Sequence, residues 1–74
     1  MTRLPNLTAR QMAKAILRAG FLEDEQSGSH KAFYHPTTKR HLTIPMHPGD
    51  LPRWLYKSII KQAGLSENEF RRLL

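Results

Sequence analysis

Apolar residues recur at helical spacing early in the chain. Ala9, Met12, Ala13, Ile16 and Leu17 follow a 3.6-residue repeat, and Thr8 three positions before Gln11 has the spacing of a capping box, in which each side chain answers the other's backbone N–H. This pattern predicts a helix over 9–19, closed by Gly20 in a left-handed cap. Beyond Gly20 the helical repeat gives way to short segments bounded by turn residues. A first strand is expected at 21–25, a turn at Ser27-Gly28-Ser29, a second strand at 30–35 and a third at 40–45. Residues 36–39 then form a four-residue hairpin loop, and partners across the hairpin have numbers summing to 75.

That register is supported by the side chains it brings together. It sets Phe33 opposite Leu42, Lys31 opposite Ile44, Tyr34 opposite His41 and Ala32 opposite Thr43. One face collects Phe33, Leu42 and Ile44, and the other collects His30, Tyr34, His41 and Thr43. A slip of one residue would mix the two faces, so burial argues for the register. His30 then points away from the core.

Further on, Asp50 is expected to cap a second helix, with Pro52 in its first turn, an apolar stripe of Leu51, Leu55, Ile59 and Ala63, and Gly64 at its end. Ser66 and Glu69 repeat the capping-box spacing before a short last helix carrying Phe70, Leu73 and Leu74. The order predicted is α-β-β-β-α with a short terminal helix. Its class is α+β, a three-stranded antiparallel sheet with helices on one face, the order of a double-stranded-RNA-binding domain.

Length and charge sharpen this picture. Seventy-four residues make one compact unit spanning 1–74 the expectation. Such a unit buries only about 60% of its unfolded surface and is marginal in stability. The chain has no cysteine, which removes disulfides and thiolate metal sites. Residues 1–8 contain no apolar run, so neither export nor a membrane partner is expected, and a cytoplasmic location is the default. Twelve Lys and Arg against six Asp and Glu give a net charge of +6, which favours a polyanionic partner or an acidic protein. Arg10, Lys14 and Arg18 align on one side of the first helix, where they read most simply as a solvated face.

Several strings, taken in order, resemble one known family. Gly28-Ser29-His30 enters an aromatic strand, Thr43-Ile44-Pro45-Met46-His47-Pro48-Gly49-Asp50 follows, and then comes Lys57-Ser58-Ile59-Ile60-Lys61-Gln62-Ala63-Gly64-Leu65-Ser66. Together with Gly20-Phe21 after the first helix, they resemble the HicA (YcfA-like) toxins along nearly the whole chain. The resemblance implies a double-stranded-RNA-binding-like fold and a metal-independent endoribonuclease that cuts mRNA and inhibits translation. It also implies neutralisation by a HicB-like antitoxin, and His30 as the catalytic histidine. The chain departs from the family at Trp54-Leu55, where many members have small Gly-Thr residues.

The chemistry asked of His30 suits imidazole, which both accepts and donates protons near neutral pH and needs no cofactor. RNA is cleaved when a base removes the 2′-hydroxyl proton and the oxygen attacks the adjacent phosphorus. Nearby positive charge stabilises the phosphorane, and Lys31, Lys39 and Arg40 are the candidates nearest in sequence. Gly28 and Ser29 would let the backbone approach a phosphate. Because His30 pairs with Pro45, His47 belongs at the same end of the hairpin, as a second proton-transfer or phosphate-contacting group or simply as a loop histidine. Histidines at 30, 35, 41 and 47 do not suggest a metal site, since the register puts His35 on the opposite face from His30 and His41. Tyr34 and Trp54 are candidates for stacking on bases, with core or interface packing the plainer role for Trp54. The alternative function is a non-catalytic module that holds double-stranded RNA by shape.

Overall fold

A computed structural model describes residues 6–74, with residues 25–27 described through their backbone only. The stretch 1–5, part of the segment read above for its lack of an apolar run, lies outside the described residues. The elements are α1 (Ala9–Arg18), β1 (Leu22–Ser27), β2 (His30–Tyr34), β3 (His41–Pro45), α2 (Arg53–Ala63) and α3 (Glu67–Arg71). The α-β-β-β-α order and the short terminal helix are as the sequence predicts.

Helix α1 begins where its capping box requires. The Thr8 hydroxyl accepts from the Gln11 N–H at 3.1 Å, and the Gln11 side chain accepts from the Thr8 N–H at 2.9 Å. The buried stripe comprises Ala9, Met12, Ala13, Ala15 and Ile16. It is turned toward Ala15 relative to the expected stripe, and Leu17 is 44% exposed as a result. The helix ends at Arg18, Ala19 is its C-cap, and Gly20 takes φ +98°.

The sheet has the order β1-β2-β3 and is antiparallel throughout. Every β2–β3 pair from His30↔Pro45 to Tyr34↔His41 has the expected register. The backbone bonds from His35 N–H to Arg40 O and from Met46 N–H to Ser29 O extend it at both ends. Phe33 and Ile44 are fully buried and Leu42 nearly so. On the other face His30, His41 and Thr43 are exposed, while Ala32 and Tyr34 are half-buried. Strand β1 starts one residue later than expected and runs on to Ser27, because a bulge between Glu23 and Gln26 gives it an extra residue. The turn is thus Gly28-Ser29 alone. Gly28 has φ +60° and Ser29 does not have positive φ, which suits a two-residue hairpin turn.

At the 36–39 loop, the His35 Nδ1 accepts from the Thr37 and Thr38 N–H groups at 3.1 and 3.2 Å. Its ring meets Phe21 edge-on, with centroids 5.1 Å apart. His35 therefore shapes the loop and packs beneath the sheet.

The second helix differs from its expected start. Asp50 does not cap it: Pro52 is the N-cap, without a side-chain cap bond, and Asp50 instead forms a backbone bridge with Thr8. Leu51, though buried, precedes the helix, so it cannot set the phase of the helical stripe. That stripe is Tyr56, Ile59, Ile60 and Ala63, with Leu55 only half-buried. Gly64 closes the helix at φ +76° as expected. Helix α3 has its predicted capping box, and Phe70 is fully buried while Leu74 is 44% exposed. The backbone N–H and then the hydroxyl of Ser66 hold the Glu69 carboxyl below the usual glutamate range. A lowered pKa means that the contribution of this cap is complete above the usual range and is lost as pH falls through the lowered value.

Phe33, Leu42 and Ile44 thus form the floor of one core that also contains Leu7, Met12, Ile16, Ile59 and Phe70. Gly20→Ala should destabilise the fold by about 1–2 kcal/mol, because an L-residue is strained at positive φ. A Cβ there would also lie 2.9 Å from the His35 ring. Chemical denaturation of the two proteins measures the difference, and equal midpoints at equal slope would contradict it.

Candidate active site

At the end of the β2–β3 hairpin remote from the 36–39 loop, His30 opens β2 and the chain leaves β3 through Pro45, Met46 and His47. Since His30 pairs with Pro45, the chain returns His47 to the side of His30. The ring centroids lie 6.4 Å apart with planes inclined at 78°, and both residues are exposed. The Ser29 carbonyl accepts the Met46 N–H, which ties the Gly28-Ser29 turn to the segment that carries His47. A Cβ at Gly28 would meet nothing within 4 Å, so this turn has open space around it.

The 46–49 segment is also held from the other side. The Thr8↔Asp50 bridge and a 2.6 Å bond from Leu51 N–H to Leu7 O fasten the chain after His47 to the residues that precede α1. Between them is an open groove of about 500 Å³, lined by Thr8, Ala9, Arg10, Met46, His47, Pro48 and Gly49. Arg10 is exposed and contributes the groove's cation. In the sequence Arg10 belongs to a row with Lys14 and Arg18, and that row separates in three dimensions. Arg18 donates to the Leu73 carbonyl at 2.7 Å, whereas Arg10 lines the groove that His47 also lines. Only the contact of residues 7–8 with 50–51 could have revealed this, and no local pattern encodes it.

The cations nearest His30 in sequence take other places. Lys31 points to the core side of the sheet and pairs with Glu23 at 3.0 Å. Arg40 donates to the Gln62 carbonyl at 3.4 Å and lies over Gly64. Lys39 is exposed in the 36–39 loop with φ +65°, at the far end of the hairpin from His30. The histidines divide as the register predicts: His35 lies under the sheet against Phe21, and His41 stands on the outer face beside Tyr34. Trp54 is 72% exposed at the start of α2, so it does not serve the core.

A family model described as the HicA toxin of bacterial toxin-antitoxin systems matches residues 9–65. The chain belongs to the HicA toxin family. No curated protein matches it. The HicA match begins with the first residue of α1 and takes in Arg10, the Gly28-Ser29-His30 turn, His47 and all of α2. Membership makes the chain a toxin of a bacterial toxin-antitoxin system, with an antitoxin as its partner. Among the described residues, no helix is long and apolar enough to cross a membrane.

The different settings of Arg40 and Lys39 have a measurable consequence. Arg40→Ala should cost about 1 kcal/mol of stability through the lost bond and packing at the end of α2. Lys39→Ala should cost less, since Lys39 is exposed and has no such contact with α2. Thermal melts of the two variants test this, and a larger loss at Lys39 would contradict it.

Proposed function

We propose that this HicA toxin is an endoribonuclease that cleaves mRNA without a metal ion, with His30 and His47 sharing the proton transfers. The observation that carries this reading is the pair of exposed imidazoles 6.4 Å apart beside a groove that contains Arg10. Two exposed imidazoles this close at one turn are suited to reach the oxygens on either side of a single phosphorus atom. One imidazole takes the proton of the 2′-hydroxyl as its oxygen bonds to phosphorus. The other gives a proton to the 5′-oxygen as its bond to phosphorus breaks, leaving a cyclic phosphate and a free 5′-hydroxyl. Arg10 is suited to balance the charge that builds on the phosphorane oxygens. The Gly28-Ser29 turn, open around Gly28, is suited to close backbone approach by the strand.

A HicB-type antitoxin that covers the face bearing His30 would block both imidazoles at once. The non-catalytic alternative uses the same charge and fold to hold duplex RNA by shape. The exposed histidine pair favours the nuclease, because a duplex clamp has no use for two proton-transfer groups at one turn.

The decisive assay is cleavage of a long single-stranded RNA by purified protein in excess chelator. Cleavage should persist without divalent ions and vanish with His30→Ala. His47→Ala should slow it by about 10²- to 10⁴-fold, the usual worth of a positioned acid or base. Undiminished cleavage by His47→Ala removes that residue from the chemistry, and RNA binding with no cleavage by the unsubstituted protein favours the non-catalytic module.

A second expectation concerns charge. Binding of RNA to His30→Ala protein, followed against salt concentration, should show a slope about 1 smaller when Arg10→Met is added. Lys31→Met should leave the slope nearly unchanged, since Lys31 is paired with Glu23 on the other side of the sheet. The reverse result would put the phosphate path on the helix side.

A further inference from the structure

The sheet face turned away from the helices carries a row of side chains that the cleavage chemistry does not use. Leu22, Tyr34 and His41 stand opposite one another across β1, β2 and β3. The backbone bond between His35 and Arg40 makes the neighbouring Tyr34–His41 pair a non-hydrogen-bonded one, in which side chains approach most closely. Their rings are stacked, with centroids 6.3 Å apart and planes inclined at 29°. Leu22 at their side is 47% exposed.

On β2 and β3 the row next to it, toward His30, contains Ala32 and Thr43, with the 24–25 bulge of β1 at its edge, and the following row contains His30 and Pro45, with Ser27 opposite His30 on β1. Across β2 and β3 the face therefore has two raised ends with a low saddle between them. His30 and Tyr34 are four residues apart on β2, which is about 13 Å along a strand. A short stretch of one strand that has its phosphate at His30 can thus lay a base over Tyr34.

Building on the nuclease reading above, we infer that Leu22, Tyr34 and His41 form a stacking platform for an unpaired base of the RNA strand whose phosphate lies at His30 and His47. Shape and charge favour a base over a protein on this row. The apolar ridge is a single row of residues bordered by Ala32 and Thr43, far short of the roughly 800 Å² per partner that a stable protein interface covers. The chain carries a net charge of +6, complementary to a polyanionic strand. Two stacked rings with an exposed aliphatic side chain beside them offer apolar surface to the π-face that every base presents, and contacts of this kind tolerate any sequence. The platform selects single strands, since bases within a duplex are already stacked on their neighbours.

The test uses His30→Ala protein, which leaves RNA uncut, and a short single-stranded RNA of mixed sequence containing 2-aminopurine. Adding Tyr34→Ala should weaken binding about 5- to 100-fold and remove the quenching of 2-aminopurine. Tyr34→Phe should preserve both. His41→Ala, at an exposed position that the fold does not need, should weaken binding several-fold, while none of these changes should alter binding of a duplex of the same sequence. If neither Tyr34→Ala nor His41→Ala changes the affinity for the single strand, the platform is refuted and the nuclease reading survives. If those variants lose affinity for the antitoxin while RNA binding is unchanged, the row belongs to the protein partner and the platform is likewise refuted. Failure of His30→Ala protein to bind any single-stranded RNA would refute the platform, while cleavage by the unsubstituted protein decides the nuclease reading on its own.

Discussion

The pairing of β2 with β3 is the constraint on which the rest of this structure depends. Phe33, Leu42 and Ile44 must all face the helices if the small core is to close, and a one-residue slip from the observed register would turn one strand's apolar residues away from the other's. The same register dictates everything on the reverse side. It sends His30, Ala32 and Tyr34 outward, aligns His41 with Tyr34, and delivers the chain after Pro45 to the side of His30. Core and candidate site are thus two faces of one hydrogen-bond ladder. A residue inserted into either strand would bury histidine and expose phenylalanine together, which couples the integrity of the site to the stability of the fold.

The ladder alone does not build the groove. That depends on a second, smaller clamp, in which Leu7 and Thr8 bond to Leu51 and Asp50 and draw the start of α1 against the 46–49 segment. Leu7 is almost wholly buried, so the clamp is fixed by the core rather than by its two backbone contacts alone. Arg10 is the second residue of α1, and its place in the groove with His47 follows from the clamp. The groove thus joins a helix start and a loop that are distant in sequence, each held by apolar neighbours beneath it.

What the sequence made legible follows from the range of the interactions involved. Both capping boxes, the glycine stops at Gly20 and Gly64 and the hairpin register are local or nearly local, and each is present as read. The meeting of His30 and His47 was also legible, because it follows from a register and a two-residue step. The errors arose where backbone contacts at long range decided the matter. Asp50 has the side chain of a helix cap, but its backbone is engaged by Thr8 and the helix starts only after Pro52. The stripe expected on α2 holds at Ile59 and Ala63, but without the true start it includes the half-buried Leu55 and misses Tyr56 and Ile60. Lys31 and Arg40 were judged by their nearness to His30 in sequence, although alternation along a strand turns a neighbour to the opposite face. Arg10, by contrast, carried no local signal at all.

The positive charge of the chain also has to be divided before it is read as a footprint for RNA. Lys31 is paired with Glu23, Lys57 with Glu67, Arg18 with the Leu73 carbonyl and Arg40 with the Gln62 carbonyl. Each of these cations still contributes to the long-range field that draws a polyanion in, since a field sums over all charges. None of the four projects freely toward the groove beside His47. In the proposed nuclease, encounter and contact would therefore be supplied by different residues: the whole surface would steer, while the groove offers Arg10. A marginally stable domain of this size gains from that division, because cations that brace α1, α2 and the sheet serve the fold and add to the long-range field at the same time.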